Sequence, residues 1–330
     1  MLDRPALLVR VEDVNGAVGW GEVWCNFPSC GAEHRAQLLQ STVAPLVVGQ
    51  PFMSARQAFD LMSARTAVLA IQAGEPGPIA QVIAGIDIAI WDLMARRAGL
   101  PMWQFLGGSS GAIKVYASGI NPDQAVDTVL TKYVEGHRAF KLKVGFGAER
   151  DMANVRDVLS QLPAGTRLML DANQAWDLDA AIAMTAQLSD ASPTWLEEPL
   201  RADRPASEWQ RLAQHTDIPL AAGENLIGLD AFETMLSSRA LKVIQPDLAK
   251  WGGMSGCVDV IDRIHELGLC YCPHFLGAGV GQLASAHLLA ARGRPDGMLE
   301  IDANENPLRT RLSPALAAII EGQAQLSDAP

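Results

Sequence analysis

Basic residues are scarce in this chain relative to acidic ones. Its 330 residues include 26 lysines and arginines against 37 aspartates and glutamates, which gives a formal net charge of −11. A chain with this excess of negative charge is repelled by phosphate backbones and by anionic lipid surfaces. The composition therefore argues against nucleic acid or a membrane surface as the main partner.

Cysteines and long apolar runs are also scarce. The five cysteines form an odd set without the spacing of a disulfide framework: Cys25, Cys30, Cys257, Cys270 and Cys272. Such usage is typical of a reducing cytoplasm. We expect no segment to reach the apolar length of a membrane span, and the start MLDRPALLVRVEDVNG is typical of a strand instead of a signal peptide. The sequence thus predicts a cytoplasmic protein.

The first part of the chain, residues 1–105, has the pattern of a small α+β unit. The segments ALLVRVED and AVGWGEV alternate in polarity around Asn15-Gly16, a strong signal for a hairpin turn. Helical patterns follow at about 33–48, 54–69 and 78–98. We predict that this N-terminal unit caps a larger domain.

From Lys143 onward, a polar residue ends a short apolar segment at intervals of 23 to 28 residues. The seven anchors in this series are Lys143, Asp171, Glu197, Glu224, Asp247, His274 and Glu300. The interval equals one strand–loop–helix–loop unit, so each anchor is expected at the C-terminal end of a strand. In a barrel of parallel strands, those ends meet in one mouth. The pattern predicts an α/β fold, a modified (β/α)7β TIM-type barrel over 106–304, with the tail 305–330 packed on the N-terminal unit.

Three anchors on consecutive strands are carboxylates. Asp171, Glu197 and Glu224 would form an arc of hard oxygen ligands, which suits Mg²⁺. The alternative is that they are three unrelated helix caps or salt-bridge partners. Three carboxylates that face one mouth repel one another unless a cation lies between them, and this favours the metal site.

Candidate acid/base groups flank this arc. Positive charge from the metal and from Lys141 would favour the neutral amine of Lys143, which could then act as a base, although Lys143 could instead be a carboxylate counter-ion. Lys141 shares its strand face and is expected to hold a substrate carboxylate. His274 and Asp247 end neighbouring strands, and the carboxylate would orient the imidazole and raise its basicity. A lone histidine would more often be structural, but this pairing predicts a catalytic dyad.

The anchors lie in motifs that resemble the enolase superfamily, and more narrowly its mandelate racemase subgroup. The motifs are spread over essentially the whole chain and include GWGE, FKLKVG, DANQAW, WLEEPL, GEN, QPDLAKWGG, PHFLG and LEIDANENPL. The resemblance implies that Mg²⁺ is held by the three carboxylates above. It also implies that a lysine or histidine base removes the proton next to a carboxylate and that the resulting enediolate is stabilised by the metal.

The resemblance implies roles for further residues. Glu300 is expected to hydrogen-bond a substrate carboxylate oxygen as charge develops there, and Asn173 is expected to contact substrate. Lys250 falls where the muconate lactonizing branch keeps a catalytic lysine, but the Asp247–His274 pair favours the racemase-like branch.

Members of this family usually begin with a further strand and a mobile loop ahead of the segment that starts here at Met1, so a shortened lid is expected. The loop at 24–35 is then expected to serve as lid and specificity element. His34 in this loop is predicted to contact substrate, although simple loop packing is an equal alternative.

The predicted function is Mg²⁺-dependent dehydration of a sugar acid or hydroxy acid to a 2-keto-3-deoxy acid. Racemisation or epimerisation at the α-carbon would use the same two bases, and the sequence leaves that alternative open. A non-catalytic barrel is a second alternative, against which the intact anchors argue. The expected partner is a small-molecule carboxylate, without nucleic acid or membrane, and we expect a homo-oligomer.

Overall fold

The N-terminal unit opens with a two-stranded antiparallel sheet. The computed structural model describes residues 4–316 and 318–330. Strand β1 (Leu7–Glu12) pairs with β2 (Val18–Val23), and the carboxylate of Asp13 accepts a hydrogen bond from the backbone N–H of Asn15 in the turn between them. Gly16 has a φ of 83°, which glycine adopts at low cost. The hairpin lies where the Asn-Gly signal predicts it.

Four helices complete this unit: α1 (Gly31–Leu38), α2 (Ala55–Ala73), α3 (Pro76–Arg97) and α4 (Met102–Phe105). The hydroxyl of Ser54 caps α2 by accepting the backbone N–H of Gln57, and Gly74 ends the helix in the left-handed conformation. The predicted helix at 33–48 differs most from the structure. It ends at Leu38 and continues as a π-helical turn and a 3₁₀ turn to Leu46.

Helix α3 packs across the two-stranded sheet. Contrary to our expectation for the sequence, this one described helix is long and apolar enough to cross a membrane by length and composition. However, 67% of its most apolar window is buried within the protein. Gly21 of β2 approaches it so closely that a Cβ atom there would lie 2.0 Å from the carbonyl oxygen of Gly85. The apolar composition of α3 is therefore that of a core helix.

Eight parallel strands follow. They are β3 (Ala112–Ile120), β4 (Ala139–Lys143), β5 (Arg167–Asp171), β6 (Leu196–Glu197), β7 (Leu220–Ala222), β8 (Val243–Ile244), β9 (Cys270–Tyr271) and β10 (Met298–Asp302). The helices between them are α5 (Ala125–Val134), α6 (Ala148–Gln161), α7 (Leu178–Leu188), α8 (Ala206–Ala213), α9 (Leu229–Ser238), α10 (Gly253–Glu266) and α11 (Gly279–Arg292). Neighbours pair in the order β10, β3, β4 and onward to β9. This curled parallel sheet confirms the predicted α/β fold of TIM type.

The interior of the curled sheet is packed with one side chain from, or directly beside, each strand. These residues are Tyr116, Ala139, Met169, Trp195, Ala221, Val243, Cys272 and Met298. Within residues 4–316 and 318–330, no backbone ladder joins β9 to β10, but Cys272 and Met298 at these strands share the same cluster. The polar mouth of the barrel therefore rests on an apolar floor.

Two buried carboxylates of the N-terminal unit cap barrel helices. Glu22 of β2 accepts hydrogen bonds from the backbone N–H groups of Ala278 and Gly281 at the start of α11. Asp87 of α3 accepts from the backbone N–H and the hydroxyl of Ser255 in the first turn of α10. Helix N-termini carry unpaired N–H groups and positive dipole ends, which favour a carboxylate. Because both helices begin at the mouth, the two contacts hold the N-terminal unit over it.

The C-terminal tail packs mainly on the barrel. Helix α12 (Pro307–Leu312) follows β10, and strand β11 (Gln323–Gln325) pairs antiparallel with the start of β3. Strand β4 pairs with β3 only from Ala117 onward, so the first residues of β3 offer a free edge that β11 covers. The tail also reaches the N-terminal unit, where the indole N–H of Trp103 donates to the Ser327 carbonyl. The predicted domain limits stay predictions.

The interface between α11 and the N-terminal unit is expected to be sensitive to acid through His287. Its Nδ1 accepts the backbone N–H of Trp103 at 3.3 Å, and burial together with the charge of Arg96 lowers its pKa to about 4. An unfolded histidine titrates near pH 6.5, so this stabilisation is complete above that pH and is lost as the pH falls toward 4. We expect His287→Gln to reduce the loss of unfolding free energy between pH 7.5 and pH 5 by about 2 kcal/mol.

Urea unfolding at the two pH values measures this effect. His215→Gln, which replaces an exposed histidine beyond α8, is the matched control and should behave as the wild type does. An identical pH dependence for His287→Gln and the wild type would contradict the prediction.

Candidate active site

Strand register brings the anchors to one end of the barrel. Lys143 of β4 pairs with Asp171 of β5, which in turn pairs with Glu197 of β6. Neighbouring strands are about 4.8 Å apart, so these three residues lie side by side. The other anchors lie at or just beyond the same ends of the next four strands: Glu224, Asp247, His274 and Glu300. All seven therefore surround one mouth.

The ammonium group of Lys141 links two buried carboxylates below the mouth. Its Nζ donates to both carboxylate oxygens of Glu197 at 2.8 Å and lies 2.7 Å from Glu300 Oε1. The side-chain amide of Gln245 also donates to Glu197. Burial alone would lower the pKa of Lys141, but the two carboxylates raise it well above its ordinary value. Lys141 is thus a fixed cation, and its predicted contact with substrate stays a prediction.

Glu300 is held in its ionised form. Burial would raise its pKa, but Lys141 and His274 lower it below the ordinary value, with help from the Ser118 hydroxyl. The backbone N–H of Phe275 donates to its second oxygen at 3.1 Å. An ionised carboxylate only accepts hydrogen bonds, so Glu300 would have to gain a proton before it could donate one to a substrate oxygen as predicted.

His274 lies between two carboxylates. Its Nδ1 is 2.8 Å from Asp247 Oδ2, and its Nε2 is 2.6 Å from Glu224 Oε2. Burial disfavours the charged ring, but Glu224, Glu300 and the bond to Asp247 raise the pKa of His274 well above its ordinary value. The imidazole is therefore oriented and protonated near neutral pH, which suits a general acid.

Lys143 lies on the other side of the carboxylates. Its Nζ donates to the side-chain oxygen of Asn173 at 3.0 Å. Asn173 in turn donates to Asp171 from its backbone N–H and from its amide. It has a φ of 45°, in the left-handed region that asparagine tolerates better than most residues. Asn173 therefore connects the candidate base to a candidate metal ligand.

A further ammonium group, that of Lys250, binds Glu224. Its Nζ lies 2.9 Å from Glu224 Oε1, 3.1 Å from Asn225 Oδ1 and 5.0 Å from the centre of the Trp24 ring. Burial would raise the pKa of Glu224, but His274 and Lys250 hold it well below its usual range. Both carboxylate oxygens of Glu224 are thus engaged by cationic side chains.

Sequence reasoning missed Glu198 and Asn225. The amide of Asn225 donates to Glu198 at 2.9 Å and to Glu224 at 3.1 Å. Glu198 is buried with a φ of 39°, and desolvation together with the charge of Glu224 raises its pKa to about 8. Both residues directly follow an anchor, in WLEEPL and GEN. Strand alternation would turn them away from the mouth, and the left-handed backbone at Glu198 breaks that alternation.

The charge balance of the mouth fits a divalent cation. Six carboxylates converge there: Asp171, Glu197, Glu198, Glu224, Asp247 and Glu300. Their cationic neighbours are the ammonium groups of Lys141, Lys143 and Lys250 and the imidazole of His274. Even with the imidazole protonated, two negative charges remain. Desolvation and nearby carboxylates raise the pKa of Glu197 to about 7, and an all-oxygen donor set is the kind that Mg²⁺ prefers.

The carboxylates are nevertheless turned toward protein cations. In the part of the chain that the structure describes, no group of three or more histidine, cysteine, aspartate or glutamate side chains is arranged to enclose an ion. Glu197 contacts Lys141, and Glu224 contacts His274 and Lys250. These side chains would have to turn before they could share an ion with Asp171, so the predicted ligand set stays a prediction.

The predicted lid contacts the mouth only through its first residues. Trp24 lies over Lys250, and the side-chain amide of Asn26 donates to the Leu276 carbonyl at 2.5 Å. His34 lies in α1, where its Nε2 is 3.0 Å from Glu75 Oε1 within the N-terminal unit. The structure therefore does not bring His34 to the other candidate residues.

Comparison with known families agrees with this architecture. Residues 1–107 match the family model for the mandelate racemase / muconate lactonizing enzyme N-terminal domain, and residues 124–330 match the enolase C-terminal domain-like model. The chain belongs to the mandelate racemase subgroup of the enolase superfamily. The resemblance identified from the sequence motifs is thereby confirmed.

Curated relatives in this superfamily have different activities. D-galactarolactone cycloisomerase from Agrobacterium fabrum is 29% identical over 343 residues, and the match covers 99% of this chain and 88% of the relative. L-talarate/galactarate dehydratase from Salmonella typhimurium is 35% identical over 208 residues, covering 61% of this chain and 52% of the relative. Both are enzymes, but one is a cycloisomerase and the other is a dehydratase.

Solved structures of the superfamily share the fold. A mandelate racemase/muconate lactonizing enzyme from Bordetella bronchiseptica RB50 superposes with a TM-score of 0.97 at 61% identity, covering 99% of this chain and 91% of that one. A racemase from Streptomyces coelicolor A3(2) with bound magnesium superposes with a TM-score of 0.85 at 25% identity, covering 99% and 94%. Members of the superfamily thus bind Mg²⁺.

Loss of one predicted ligand should weaken metal binding without any substrate present. We expect Asp171→Asn and Glu224→Gln each to lower the affinity for Mn²⁺, a paramagnetic substitute for Mg²⁺, by at least about tenfold, because a neutral amide is a poorer ligand than a carboxylate. Electron paramagnetic resonance of free Mn²⁺ measures the affinity. Glu233→Gln, which neutralises an exposed carboxylate on α9, is the control. Unchanged affinity in both ligand variants would place the ion elsewhere.

Proposed function

We propose that the protein catalyses Mg²⁺-dependent removal of the proton next to a carboxylate, through an enediolate of the substrate. The overall reaction is dehydration of a sugar acid or hydroxy acid to a 2-keto-3-deoxy acid. One observation carries this proposal: two proton-transfer groups of different chemistry, Lys143 and the His274–Asp247 pair, flank the carboxylates at the ends of β5 to β7.

Lys143 is the group that suits removal of the α-proton. Its one described side-chain hydrogen bond goes to Asn173, a contact that a substrate can replace, whereas Lys141 is locked between Glu197 and Glu300. A bound Mg²⁺ would polarise the substrate carboxylate and stabilise the negative charge that develops on it. The residues that would hold the metal are Asp171, Glu197 and Glu224.

His274 is the group that suits departure of the β-hydroxyl. Its raised pKa keeps a proton on the ring near neutral pH, and the ring can transfer that proton to the leaving oxygen. Asp247 accepts from Nδ1 and leaves Nε2 directed into the mouth. Assistance of this kind is typically worth about 10²–10⁴-fold in rate.

Racemisation or epimerisation is the second candidate, because it uses the same two groups. In the direction that begins at the histidine face, however, that reaction needs a neutral imidazole as base. The raised pKa of His274 therefore favours dehydration. A non-catalytic barrel is disfavoured by the intact set of anchors. The proposal includes a small-molecule carboxylate as partner and a cytoplasmic location, and the predicted homo-oligomer stays a prediction.

Exchange of a substrate α-proton in deuterated buffer tests the proposal. A library of hydroxy acids is followed by proton NMR for exchange and by a keto-acid reagent for dehydration, with and without Mg²⁺. We expect Lys143→Ala to abolish both signals. His274→Asn should retain exchange at the lysine face but lower dehydration by at least about 10²-fold, because no acid remains for the leaving hydroxyl.

Two exposed residues provide matched controls for these variants. Lys242→Ala removes an exposed lysine just before β8, at the opposite end of the barrel, and His215→Asn removes an exposed histidine. Both should keep wild-type rates. Near-normal dehydration by His274→Asn on a confirmed substrate would overturn the assignment of the acid and would make Lys250 the better candidate.

A further inference from the structure

A cleft of about 450 Å³ opens beside the candidate active site. It is formed by the loops that follow β5, β6 and β7, the strands at whose ends the predicted metal ligands lie. Its polar and apolar walls include Gln174, Arg201, Asp203, Asn225, Leu226 and Ile227. The proposed mechanism uses none of these side chains.

Two polar residues connect this cleft to the carboxylate cluster. Asn225 directly follows Glu224, and its amide donates to that carboxylate at 3.1 Å. Gln174 directly follows Asn173, which contacts both Lys143 and Asp171. A substrate whose reacting carboxylate lies at the cluster can therefore extend the rest of its chain into the cleft.

Arg201 forms an ion pair in this cleft with a residue of its own loop. Its Nε and Nη2 lie 3.0 Å and 2.5 Å from the two oxygens of Asp203. The two side chains are 66% and 64% exposed, and an exposed pair of this kind contributes little to stability. The two parallel N–H···O bonds have the geometry in which a guanidinium binds any carboxylate. Asp203 thus occupies the position that a substrate carboxylate would take.

The charge distribution favours an anionic group at this position. Six carboxylates repel any second carboxylate from the mouth itself, and the ammonium groups of Lys141 and Lys250 are already bound to Glu197 and Glu224. Among the lining residues of the cleft, Arg201 alone carries a guanidinium. Its charge is therefore accessible to a ligand at the low cost of separating it from Asp203.

We propose that this cleft is a subsite for a second carboxylate, in which Arg201 exchanges Asp203 for the far end of a dicarboxylic sugar acid. The amides of Gln174 and Asn225 supply donors and acceptors for hydroxyl groups along the chain, and Leu226 and Ile227 contact its C–H faces. This inference rests on the proposed function and narrows its substrate class to diacids.

Binding of matched acids tests the subsite directly. Isothermal titration calorimetry in the presence of Mg²⁺ compares galactarate with galactonate and glucarate with gluconate, pairs that differ only in a carboxylate or a hydroxymethyl group at one end. The wild type should bind at least one diacid about tenfold or more tightly than its monoacid. Arg201→Met should lower that diacid affinity about 10- to 100-fold, the range expected for loss of a charge-assisted pair, and change the monoacid affinity by less than about twofold.

Two further variants separate a subsite from general electrostatics. Asp203→Asn should raise diacid affinity, because the competing carboxylate is removed. Arg204→Met removes an exposed arginine that pairs with Glu208 outside the cleft, and it should leave all four affinities unchanged.

The outcomes distinguish failure of the subsite from failure of the reaction. Equal losses for diacid and monoacid in Arg201→Met, or no preference for either diacid in the wild type, overturn the subsite while α-proton exchange with other hydroxy acids can still uphold the reaction. Absence of Mg²⁺-dependent exchange with every hydroxy acid overturns the proposed function, and this inference with it.

Discussion

Burial of like charges at the ends of adjacent strands is the constraint on which the rest of this structure depends. Parallel register places Asp171 beside Glu197, and further carboxylates follow at the ends of the next strands. Carboxylates removed from water are costly unless a cation or a proton accompanies each of them. Lys141 compensates two of them from below, and the charge that remains gives the mouth its affinity for a divalent cation.

Glu224 is the point at which metal binding and proton transfer meet. Its two oxygens contact His274 and Lys250, so an ion that takes either oxygen must displace one of these cations. A substrate and a metal that enter together therefore free the Nε2 of His274, while Asp247 continues to hold the ring through Nδ1. The same contact that compensates Glu224 in the structure described here thus keeps the acid beside its place of action.

The N-terminal unit depends on the barrel through a related electrostatic device. Glu22 and Asp87 are buried, and each is satisfied by the N-terminus of a barrel helix that begins at the mouth. The strand that contains Glu22 leads directly into the loop that carries Trp24 over Lys250. Placement of the loop over the mouth is therefore fixed by a helix cap a few residues away, and the short lid needs no further support to reach the site.

The difference between what the sequence predicted and what it could not lies between backbone and side chains. The interval between anchors is set by the backbone length of one strand–helix unit, so the barrel and the convergence of Lys143 through Glu300 follow from spacing alone. Spacing does not determine which neighbour a carboxylate chooses, because several cations lie within similar reach.

Three departures share that cause. Glu197 bonds to Lys141 instead of meeting Asp171 around an ion, Glu198 enters the network through a left-handed backbone that breaks strand alternation, and His34 pairs with Glu75 inside its own unit. Each is a choice among competing local partners, which depends on dihedral angles and on charge balance in three dimensions. A motif therefore locates a catalytic mouth reliably, whereas the protonation and partners of each group within it have to be established from the folded structure.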